Sequence, residues 1–530
     1  MNVQSGVSFS AVASVVVTTR QMQMIESTLF AAGLPETALM EKVAGKVANW
    51  IMRQFPCDRA PAAGIIVGPG HNGGDALVVA RELYHRGYRV LLWCPFSKLK
   101  DLTACHKAYL DFLNLDTTED SADLRTCDFI VDGGFGIGLT RPLSNDLAAG
   151  ITALNASAVP IVSIDVPSGL NSDTGAVQGT AVCAQHTLCL GLWKLGLLQD
   201  QAQPWVGQLH LLPFDIPALA LQKTLTDDAL VQCITAPSAL SRLPLPRSPV
   251  AHKYTAGHLL LVAGSRQYGG AALLAGQGAL ASGVGMLTLV VPESLRLMVL
   301  AQLPEALVIG TSETSSGAIA ALPESLEWPT YDAVACGPGL TLAAAPVVTA
   351  ILRCDRPVVF DADALNILAQ NDPQALLSKR SAATLLTPHP GEFRRLFPEA
   401  AASMTNLAAQ QAAQSVGCTV ILKGAMTAIA HADGQLWINR DSTPALARGG
   451  SGDVLTGLVA GLAAQKFQSE KVAASFLDAA IAAVWWHAQA GCYLADQGTE
   501  LGCAAGQLGQ TLPTALARQL QQWGTELTVN

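Results

Sequence analysis

The segment Arg448-Gly449-Gly450-Ser451-Gly452-Asp453 runs directly into the apolar residues Val454–Gln465 and carries the clearest structural signal in the chain. Its small residues let the backbone approach a ligand closely, and a helix that begins at about Asp453 directs unpaired N–H groups towards that ligand. The helix dipole adds partial positive charge, so the segment suits a phosphate or a developing oxyanion. Asp453, in the first helical turn, can act as a base beside this anion site. The same residues also fit a helix N-cap that follows a flexible turn.

The composition is that of a large globular protein. The chain has 530 residues, which is too long for one ordinary core and indicates two or three domains. Half of the residues are apolar and 14% are charged, which excludes a disordered chain. The net charge is -9 and no run of Lys and Arg exceeds two residues, so the chain lacks the basic patch that nucleic-acid binding requires. The low charged fraction suggests burial against partner subunits, and we expect a homo-oligomer.

The cysteines and the apolar runs bear on the compartment. The twelve cysteines are scattered singly, without a C-x-x-C pair, which is typical of reduced thiols in a cytoplasmic protein. No basic segment precedes the apolar run Ala11–Val17, so we expect no signal peptide. Gly269–Val291 has no charge and could just span a bilayer. Its glycines, and its change to a β-rich pattern before Pro292, instead predict a buried helix followed by a buried strand, and no membrane association.

The chain divides most naturally at residues 236–253, where four prolines accumulate without hydrophobic periodicity. Proline at this density disfavours both helix and sheet and indicates a stiff linker. The predicted domains are therefore residues 1–235 and 254–530. Both alternate short β-rich runs with helical stretches, which predicts an α/β fold with parallel sheets. The predicted strands are Gly64–Gly68, Tyr88–Cys94, Asp128–Asp132 and Pro160–Val166, then His258–Ala263, Met286–Val291, Ala333–Cys336, Pro357–Asp361, Ala383–Thr387 and Thr419–Lys423; the predicted helices of the first domain include Ala76–Arg86 and Leu143–Asn155.

Three segments of the first domain place polar residues after strands. Residues 64–76 predict a strand, a glycine-rich turn and a helix start, although without the G-x-G-x-x-G spacing of ordinary dinucleotide dehydrogenases. Residues 131–139 and 164–169 each place an aspartate at a strand end followed by glycine. Asn72, Asp132 and Ser168 together would form a hard oxygen site that suits an alkali cation, which leaves Asp165 as an acid or base. Each aspartate alone also fits a turn or an N-cap.

The motifs GPGHNGGD, VDGGFGIGL and DVPSG, with the later LWKLG, resemble the NAD(P)H-hydrate epimerase domain over residues 20–230. This resemblance implies a Rossmann-like three-layer sandwich, Asp165 as the catalytic residue, and potassium bound by Asn72, Asp132 and Ser168. It also implies substrate contacts at His71, Asn72, Gly73, Gly74, Asp75, Gly136, Ile137, Gly138, Leu139, Thr140, Arg141, Pro142 and Asp165. His71 stands where many family members have Asn, Ala76 where many have Gly, and Leu195 where proline is expected.

The second domain carries a second set of candidate residues at predicted strand ends. His389 lies between two prolines, which hold its backbone extended and leave the imidazole free for a ligand. Lys423 ends a β-rich run. Its side chain could bind phosphate, or could simply be solvated at the end of the strand. Asp361 and Asp363 could be turn-forming residues, or they could help to order a magnesium ion held mainly by phosphate oxygens.

The motifs CGPGL, DADALN, TPHPGE, KGAMT and GGSGD resemble the ADP/ATP-dependent NAD(P)H-hydrate dehydratases, within the ribokinase-like fold, over residues 252–523. The resemblance implies a second three-layer sandwich, magnesium as cofactor, ADP as co-substrate and Asp453 as the catalytic residue. It further implies contacts with the AMP moiety at Lys423, Gly424, Ala425, Met426, Thr427 and Gly452, and with the hydrate at Ala272, Gly339, His389 and Asp453.

The two halves together predict an enzyme that repairs hydrated nicotinamide nucleotides. It would interconvert the R and S forms of the NADH and NADPH hydrates, NADHX and NADPHX, and dehydrate the S form at the expense of ADP. One alternative is a ribokinase-like kinase for a vitamin precursor or sugar, with an accessory N-terminal domain. Another is that the first half is a non-catalytic nucleotide-sensing module.

Overall fold

The computed structural model describes residues 12–225, 230–403, 406–466 and 472–529, which divide after Val231 into two compact units. The elements of the first unit are strands β1 (Val15–Val17), β2 (Ala62–Val67), β3 (Arg89–Trp93), β4 (Asp116–Thr118), β5 (Phe129–Gly133), β6 (Ile161–Ile164), β7 (His186–Leu190), β8 (Trp193–Lys194) and β9 (Gln208–Leu212), and helices α1 (Thr19–Ala31), α2 (Glu36–Gln54), α3 (His71–His85), α4 (Asp101–Phe112), α5 (Asn145–Asn155), α6 (Gln203–Val206) and α7 (Ala218–Thr224).

The first unit is built on a parallel sheet with the strand order β4-β3-β2-β5-β6-β7-β9. Strand β2 is buried on both faces, as expected for a central parallel strand. Ala63, Ile65 and Val67 join one apolar core, whereas Ile66 joins a second core with Trp93. Because apolar residues cover both faces, the unit has three layers. Outside this sheet, β1 pairs in parallel with β8.

The second unit has a longer sheet with the order β13-β12-β11-β14-β15-β16-β17-β18-β19-β10. It is parallel from β13 to β17 and antiparallel from β17 to β19. Its elements are strands β10 (Val231–Cys233), β11 (His258–Val262), β12 (Met286–Pro292), β13 (Leu307–Thr311), β14 (Ala333–Cys336), β15 (Val358–Phe360), β16 (Thr384–Leu386), β17 (Thr419–Leu422), β18 (Thr427–Ala430) and β19 (Leu436–Asn439), and helices α8 (Ala236–Leu240), α9 (Gly269–Ala281), α10 (Arg296–Gln302), α11 (Ala345–Leu352), α12 (Ala362–Ala369), α13 (Pro373–Leu377), α14 (Pro390–Leu396), α15 (Pro398–Ala401), α16 (Leu407–Val416), α17 (Ser451–Lys466), α18 (Val472–Gln497) and α19 (Ala505–Val529).

The α/β prediction with parallel sheets in two domains is confirmed. In β11, Leu259 and Leu261 belong to the large apolar core, and the alternating Leu260 and Val262 are buried on the opposite face, so this sheet is also covered on both sides. The uncharged segment 269–291 forms helix α9 and strand β12, as predicted. Among the described helices, none combines the length and apolarity needed to cross a bilayer. Location in the cytoplasm and assembly into homo-oligomers stay predictions.

Two local predictions differ from the structure. The proline-rich segment 236–253 was expected to resist helix formation, but its first residues form the short helix α8. Thr235 and Ser238 form a capping box there, and Pro237 lies in the first turn, where a helix needs no N–H donor. Helix α3 begins at His71 rather than Ala76, so the predicted glycine-rich turn is shorter and residues 71–75 are helical. The hairpin β18–β19 and the strands β7, β9 and β13 were not predicted.

Candidate active sites

The first candidate site lies where the strand order of the first sheet reverses, between β2 and β5. Ligands of open α/β sheets bind at the carboxyl ends of the strands beside such a reversal. Gly68 and Gly134 follow these two strands, and a Cβ atom on Gly68 would lie 1.6 Å from the carbonyl oxygen of Gly134. Only glycine therefore allows the two backbone segments to meet here.

A cavity of about 550 Å³ opens at this edge of the sheet. Most of the predicted substrate contacts line it, namely His71, Asn72, Asp75, Gly136, Ile137, Gly138, Leu139, Thr140, Arg141 and Asp165. Three residues of the predicted set, Gly73, Gly74 and Pro142, are described but lie outside this lining. A Cβ atom on Gly73 would lie 2.0 Å from Gly68 O, and one on Gly74 would lie 2.9 Å from the sulfur of Met40. These glycines allow α3 to pack closely against its neighbours.

Asp165 occupies a strained position and forms a buried ion pair. Its φ of +65° is in the left-handed region, which a non-glycine residue adopts at a cost that is often associated with function. Its Oδ1 accepts a hydrogen bond from Leu190 N at 3.1 Å and lies 2.5 Å from Lys194 Nζ. Lys194 is only 1% exposed. Burial lowers the pKa of Lys194, but the charge and hydrogen bond of Asp165, together with the charges of Cys189 and Glu26, outweigh burial and the net shift is upward.

Asp132 and Ser168, two of the three predicted potassium ligands, are directly bonded. Asp132 Oδ1 accepts from Ser168 Oγ at 2.6 Å and from Gly134 N at 3.1 Å. Its Oδ2 accepts from Ser163 Oγ at 2.7 Å and from Ser168 N at 2.9 Å. Four donors thus use the lone pairs of this buried carboxylate, which holds the loops after β5 and β6 together. Burial raises the pKa of Asp132, against the opposing effect of these hydrogen bonds.

Asn72, the third predicted ligand, packs beside the loop after β5. A Cβ atom on Gly136 would lie 3.4 Å from Asn72 Oδ1, and Asn72 Nδ2 is buried without a hydrogen-bond partner. The two ends of an amide are assigned from their hydrogen bonds. Reversing this amide would place its oxygen where no donor satisfies it, which suits a cation. Asn72 therefore offers an open position to an alkali ion, whereas Asp132 and Ser168 would have to exchange hydrogen bonds of their own to bind it.

Two carboxylates that line the cavity were not predicted from the sequence. Glu36, at the start of α2, lies 3.0 Å from His71 Nδ1. Glu26, on α1, lines the same cavity as Asp165 and Lys194. A signal for Glu26 exists, because the buried residues of α1 are Met22, Ile25 and Leu29, and position 26 belongs to the same i, i+3, i+4, i+7 stripe. A charged residue within an apolar stripe indicates a buried partner.

The second candidate site lies at the corresponding reversal of the second sheet, between β11 and β14. Gly337 follows β14 with a φ of +135°, and a Cβ atom on it would lie 1.8 Å from Asp361 O, which follows β15. Next along the edge come the ends of β16 and β17, where Lys423 N donates to Pro388 O at 2.9 Å. The candidate residues at these strand ends are therefore brought to one edge, as the sequence predicted.

Helix α17, which carries the glycine-rich segment, packs against α9 with the two backbones in contact. A Cβ atom on Gly457 would lie 1.8 Å from Ala275 O, and one on Gly461 would lie 2.2 Å from Ser282 Oγ. Because residue numbers rise together in these contacts, the helices run in the same direction. Both N-termini therefore lie at one end of the pair, and both dipoles add positive potential there.

Asp361 and Lys423 form the central ion pair of the second site. Asp361 Oδ1 lies 2.8 Å from Lys423 Nζ, and Oδ2 accepts from Thr456 Oγ1 at 2.6 Å. Burial raises the pKa of Asp361, but Lys423 and the hydrogen bonds outweigh burial and lower it overall. Both Asp361 oxygens are thus engaged by the protein. Asp363 Oδ2 accepts from Thr341 N at 2.8 Å, and its Oδ1 receives only a long contact of 3.4 Å from Asn366.

Asp453 and Gly452 lie beside this ion pair. A Cβ atom on Gly452 would lie 3.4 Å from Lys423 Nζ, which places the ammonium group at the start of α17. Burial and the negative charges of Asp361 and Asp363 raise the pKa of Asp453 to about 7, although Lys423 acts in the opposite direction. A carboxyl group with this pKa exchanges a proton easily near neutral pH. The helix begins at Ser451, so Asp453 is in its first turn, as predicted.

The remaining candidates of the second unit differ in accessibility. His389 caps α14, because its Nδ1 accepts from Gly391 N at 2.9 Å, and its side chain is 52% exposed. Burial, with the charges of Lys423 and Arg395, lowers its pKa. Gly339 has a φ of +65° and a Cβ atom on it would lie 2.7 Å from Tyr268 O. Ala272 is fully buried in α9, so its side chain offers no exposed surface to a substrate.

The predicted nucleotide loop, Lys423–Thr427, joins β17 to β18. Thr427 Oγ1 closes the loop by donating to Gly424 O at 2.9 Å. Ala425 is exposed, whereas the Met426 side chain is buried beneath the loop. The loop thus offers backbone rather than large side chains to a ligand.

Comparison with known proteins shows two family models and relatives of the whole chain. The model described as "NAD(P)H-hydrate dehydratase" matches residues 259–514, and the model "YjeF-related protein N-terminus" matches residues 36–196. The bifunctional NAD(P)H-hydrate repair enzyme of Thermosynechococcus vestitus is 52% identical over 95% of this chain and 98% of its own. The enzyme of that name from Synechocystis is 47% identical over 96% and 95%.

Solved structures are similar to parts of the chain. An ADP/ATP-dependent NAD(P)H-hydrate dehydratase from Bacillus subtilis, co-crystallised with ATP and Mg²⁺, is 33% identical and covers 54% of this chain and 98% of its own, with a TM-score of 0.46. The relatives that share nearly the whole length decide the assignment. The chain belongs to the family of bifunctional NAD(P)H-hydrate repair enzymes.

Proposed function

We propose that the two units catalyse consecutive steps in the repair of hydrated NADH and NADPH. The first unit interconverts the R and S hydrates, and the second dehydrates the S hydrate at the expense of ADP, with AMP and phosphate as products. The observation that carries this proposal is the presence, in each unit, of a carboxylate beside a lysine at the carboxyl-end edge of its own sheet. Asp165 is that carboxylate in the first unit and Asp453 in the second.

In the second unit, Asp453 accepts the proton of the hydroxyl group on the hydrated ring. The freed oxygen attacks the terminal phosphoryl group of ADP, and AMP departs. The lone pair of the ring nitrogen then expels phosphate and leaves an iminium ion. The adjacent ring carbon gives up a proton to the released phosphate, which restores the nicotinamide double bond. Lys423 and the N-termini of α9 and α17 stabilise the negative charge on the transferring group.

Magnesium fits this site if it binds together with the nucleotide, rather than being held by protein side chains alone. Asp361 has both oxygens engaged, so Asp363 is the carboxylate that could reach a magnesium ion held mainly by phosphate oxygens. The ion would neutralise phosphate charge. The backbone of Lys423–Thr427 and Gly452 would hold the AMP moiety, and Gly339 and His389 would position the hydrate.

In the first unit, Asp165 exchanges a proton with the hydroxyl group of the hydrate while Lys194 keeps the carboxylate in place. The Oδ1 atom is committed to Lys194 and Leu190 N, which leaves Oδ2 for the substrate. Asn72, Asp132 and Ser168 would hold a potassium ion, which would add positive charge near the bound nucleotide. Residues 136–141 and the start of α3 would enclose the substrate.

The first experiment follows the return of NADH absorbance when the purified protein meets a mixture of R and S NADHX. Separate reactions contain ADP, ATP or neither nucleotide. We expect NADH to be recovered only when a nucleotide is present. The amount recovered should exceed the S hydrate initially present, at a rate faster than spontaneous epimerisation allows. If recovery stops when the S hydrate initially present has been consumed, the proposed role of the first unit is wrong. Absence of recovery with both nucleotides, together with phosphorylation of a small alcohol, would replace the proposal by a kinase.

A further inference from the structure

Helix α1 is fixed to both segments that build the first site. Strand β1, which precedes it, pairs with β8 so that Val17 lies opposite Lys194. At the start of the helix, Thr19 N donates to Asp173 Oδ1 at 2.6 Å, and Thr19 Oγ1 lies 2.7 Å from Ser172 Oγ. These serine and aspartate residues belong to the loop that begins at Asp165. The orientation of α1 is therefore set by the same backbone that carries Lys194 and Asp165.

This orientation brings Glu26 into the cavity. Glu26 lies on the helix face whose other members, Met22, Ile25 and Leu29, are buried. The cavity lining contains Glu26 together with Asp75, Asp165 and Lys194. A carboxylate on an otherwise apolar helix face costs stability unless it has a partner or a function. Among the described ion pairs of the cavity, Asp165 is the direct partner of Lys194, and the charge of Glu26 acts on this lysine without a direct contact.

We propose that Glu26 is the second acid–base residue of the epimerase site and acts on the ring nitrogen while Asp165 acts on the hydroxyl group. The inference rests on the proposed function of the first unit. It assigns to the N-terminal helix a catalytic group that none of the motif residues supplies.

The reaction balances with these two groups alone. Asp165 takes the hydroxyl proton, the bond between the carbinol carbon and the ring nitrogen breaks, and its electron pair moves to nitrogen, which receives a proton from Glu26. The carbon becomes an aldehyde, which turns its other face towards the nitrogen. Ring closure returns the nitrogen proton to Glu26, and the oxygen takes its proton back from Asp165. The product is the opposite epimer, and both residues regain their initial states.

The charges around Glu26 allow it to hold this proton. Burial raises its pKa to about 7, with contributions from Asp165 and Glu36 and against the effect of Lys194. Burial also raises the pKa of Asp75 well above its ordinary value, so Asp75 adds little negative charge. Glu36 in turn contacts His71. Glu26 can therefore give up and regain a proton at neutral pH.

The test replaces Glu26 by glutamine, which keeps the size and removes the proton-carrying group. We expect Glu26→Gln to lower kcat for the conversion of R to S hydrate by about 10²-fold or more, with KM nearly unchanged. Glu41→Gln is the matched control, because Glu41 is on the adjacent helix of the same unit, pairs with Arg81 and does not line the cavity. Far-UV circular dichroism and thermal unfolding of the same samples report whether the first unit of each variant is folded.

A second variant separates proton transfer from packing. Glu26→Asp keeps the carboxyl group, and we expect it to recover part of the lost rate and the pH dependence, which Glu26→Gln should lack. Wild-type epimerisation by Glu26→Gln, while Asp165→Asn is inactive, would overturn this inference and leave the proposed function intact. If the wild-type protein itself does not accelerate epimerisation, the proposed function of the first unit fails, and this inference fails with it.

Discussion

The two candidate sites share a position and differ in their charges. Both lie where the strand order of a parallel sheet reverses, and in both a glycine at a strand end lets two backbone segments touch. Four carboxyl groups, Glu26, Glu36, Asp75 and Asp165, line the cavity of the first site together with the buried Lys194. The second joins the Asp361–Lys423 pair to two helix N-termini. The first arrangement is suited to moving protons and the second to stabilising phosphoryl charge. One sheet geometry therefore supports two chemistries through the side chains at its edge.

The largest expected effect comes from Asp453→Asn, which removes the base of the second site only. We expect dehydration to fall by about 10²–10⁴-fold, because the hydroxyl group of the hydrate loses its proton acceptor. Epimerisation should stay at the wild-type rate. Separate assays of the two activities, with ADP binding measured by calorimetry, check this expectation. Near-normal dehydration by the variant would remove Asp453 from the mechanism.

The same variant should be more stable than the wild type above neutral pH. The folded pKa of Asp453 is about 7, above its ordinary value of 3.8, so the folded state holds a proton that the unfolded state has released between these values. Stability therefore falls as the pH rises through this window, and asparagine abolishes the fall. Denaturant unfolding at acid and alkaline pH measures the difference in unfolding free energy between the variant and the wild type. This difference should disappear at acid pH. Equal stability at alkaline pH would show that Asp453 ionises without cost.

A smaller expected effect is that the rates of the two activities depend on pH in opposite directions. The second site needs ionised Asp453, so dehydration should rise as the pH increases through about 7. The first site needs protonated Glu26, so epimerisation should fall over the same range. Initial rates of both activities from about pH 6 to about pH 8 test this opposition. Parallel profiles would mean that one of the two carboxyl groups has been given the wrong role.

The smallest effect concerns the packing beneath the second site. In Gly457→Ala, the added methyl group would lie 1.8 Å from Ala275 O, so α9 and α17 must separate. We expect a loss of about 1–3 kcal/mol in unfolding free energy, despite the better helix propensity of alanine. Gly506→Ala is the control, since a Cβ atom on Gly506 meets no atom within 4 Å. Equal stability of both variants would show that the helix contact is adaptable.

Much of the fold follows from local sequence patterns. The run Ala333–Cys336 is apolar and forms β14 with the predicted bounds, because a central parallel strand is buried on both faces. Polar residues at strand ends, such as Asp165 and Lys423, were predicted for the same reason and lie at the site edges. Strand β7 was not predicted, since His186 and Thr187 interrupt its apolar pattern. The ring of His186 is stabilised by Trp50, a contact that no local pattern contains.

The missed site residues share a physical cause. Glu26 precedes every quoted motif, and its role depends on β1 pairing with β8, which is distant in the sequence. The partnership of Asp361 and Lys423 is equally non-local, so the sequence left both residues available for magnesium or phosphate. Burial and pairing, which decide whether a carboxylate is a base, a ligand or a structural partner, arise only when the sheet assembles.

The pairing of β1 with β8 also determines when the first site can exist during synthesis. Val15–Val17 are buried in the folded unit, yet their partner strand ends at Lys194. At a translation rate of roughly 5–20 residues per second, this apolar strand waits on the order of ten seconds for its partner. Throughout that interval its edge is open to other chains. The first site therefore cannot be complete until the ribosome has translated Lys194.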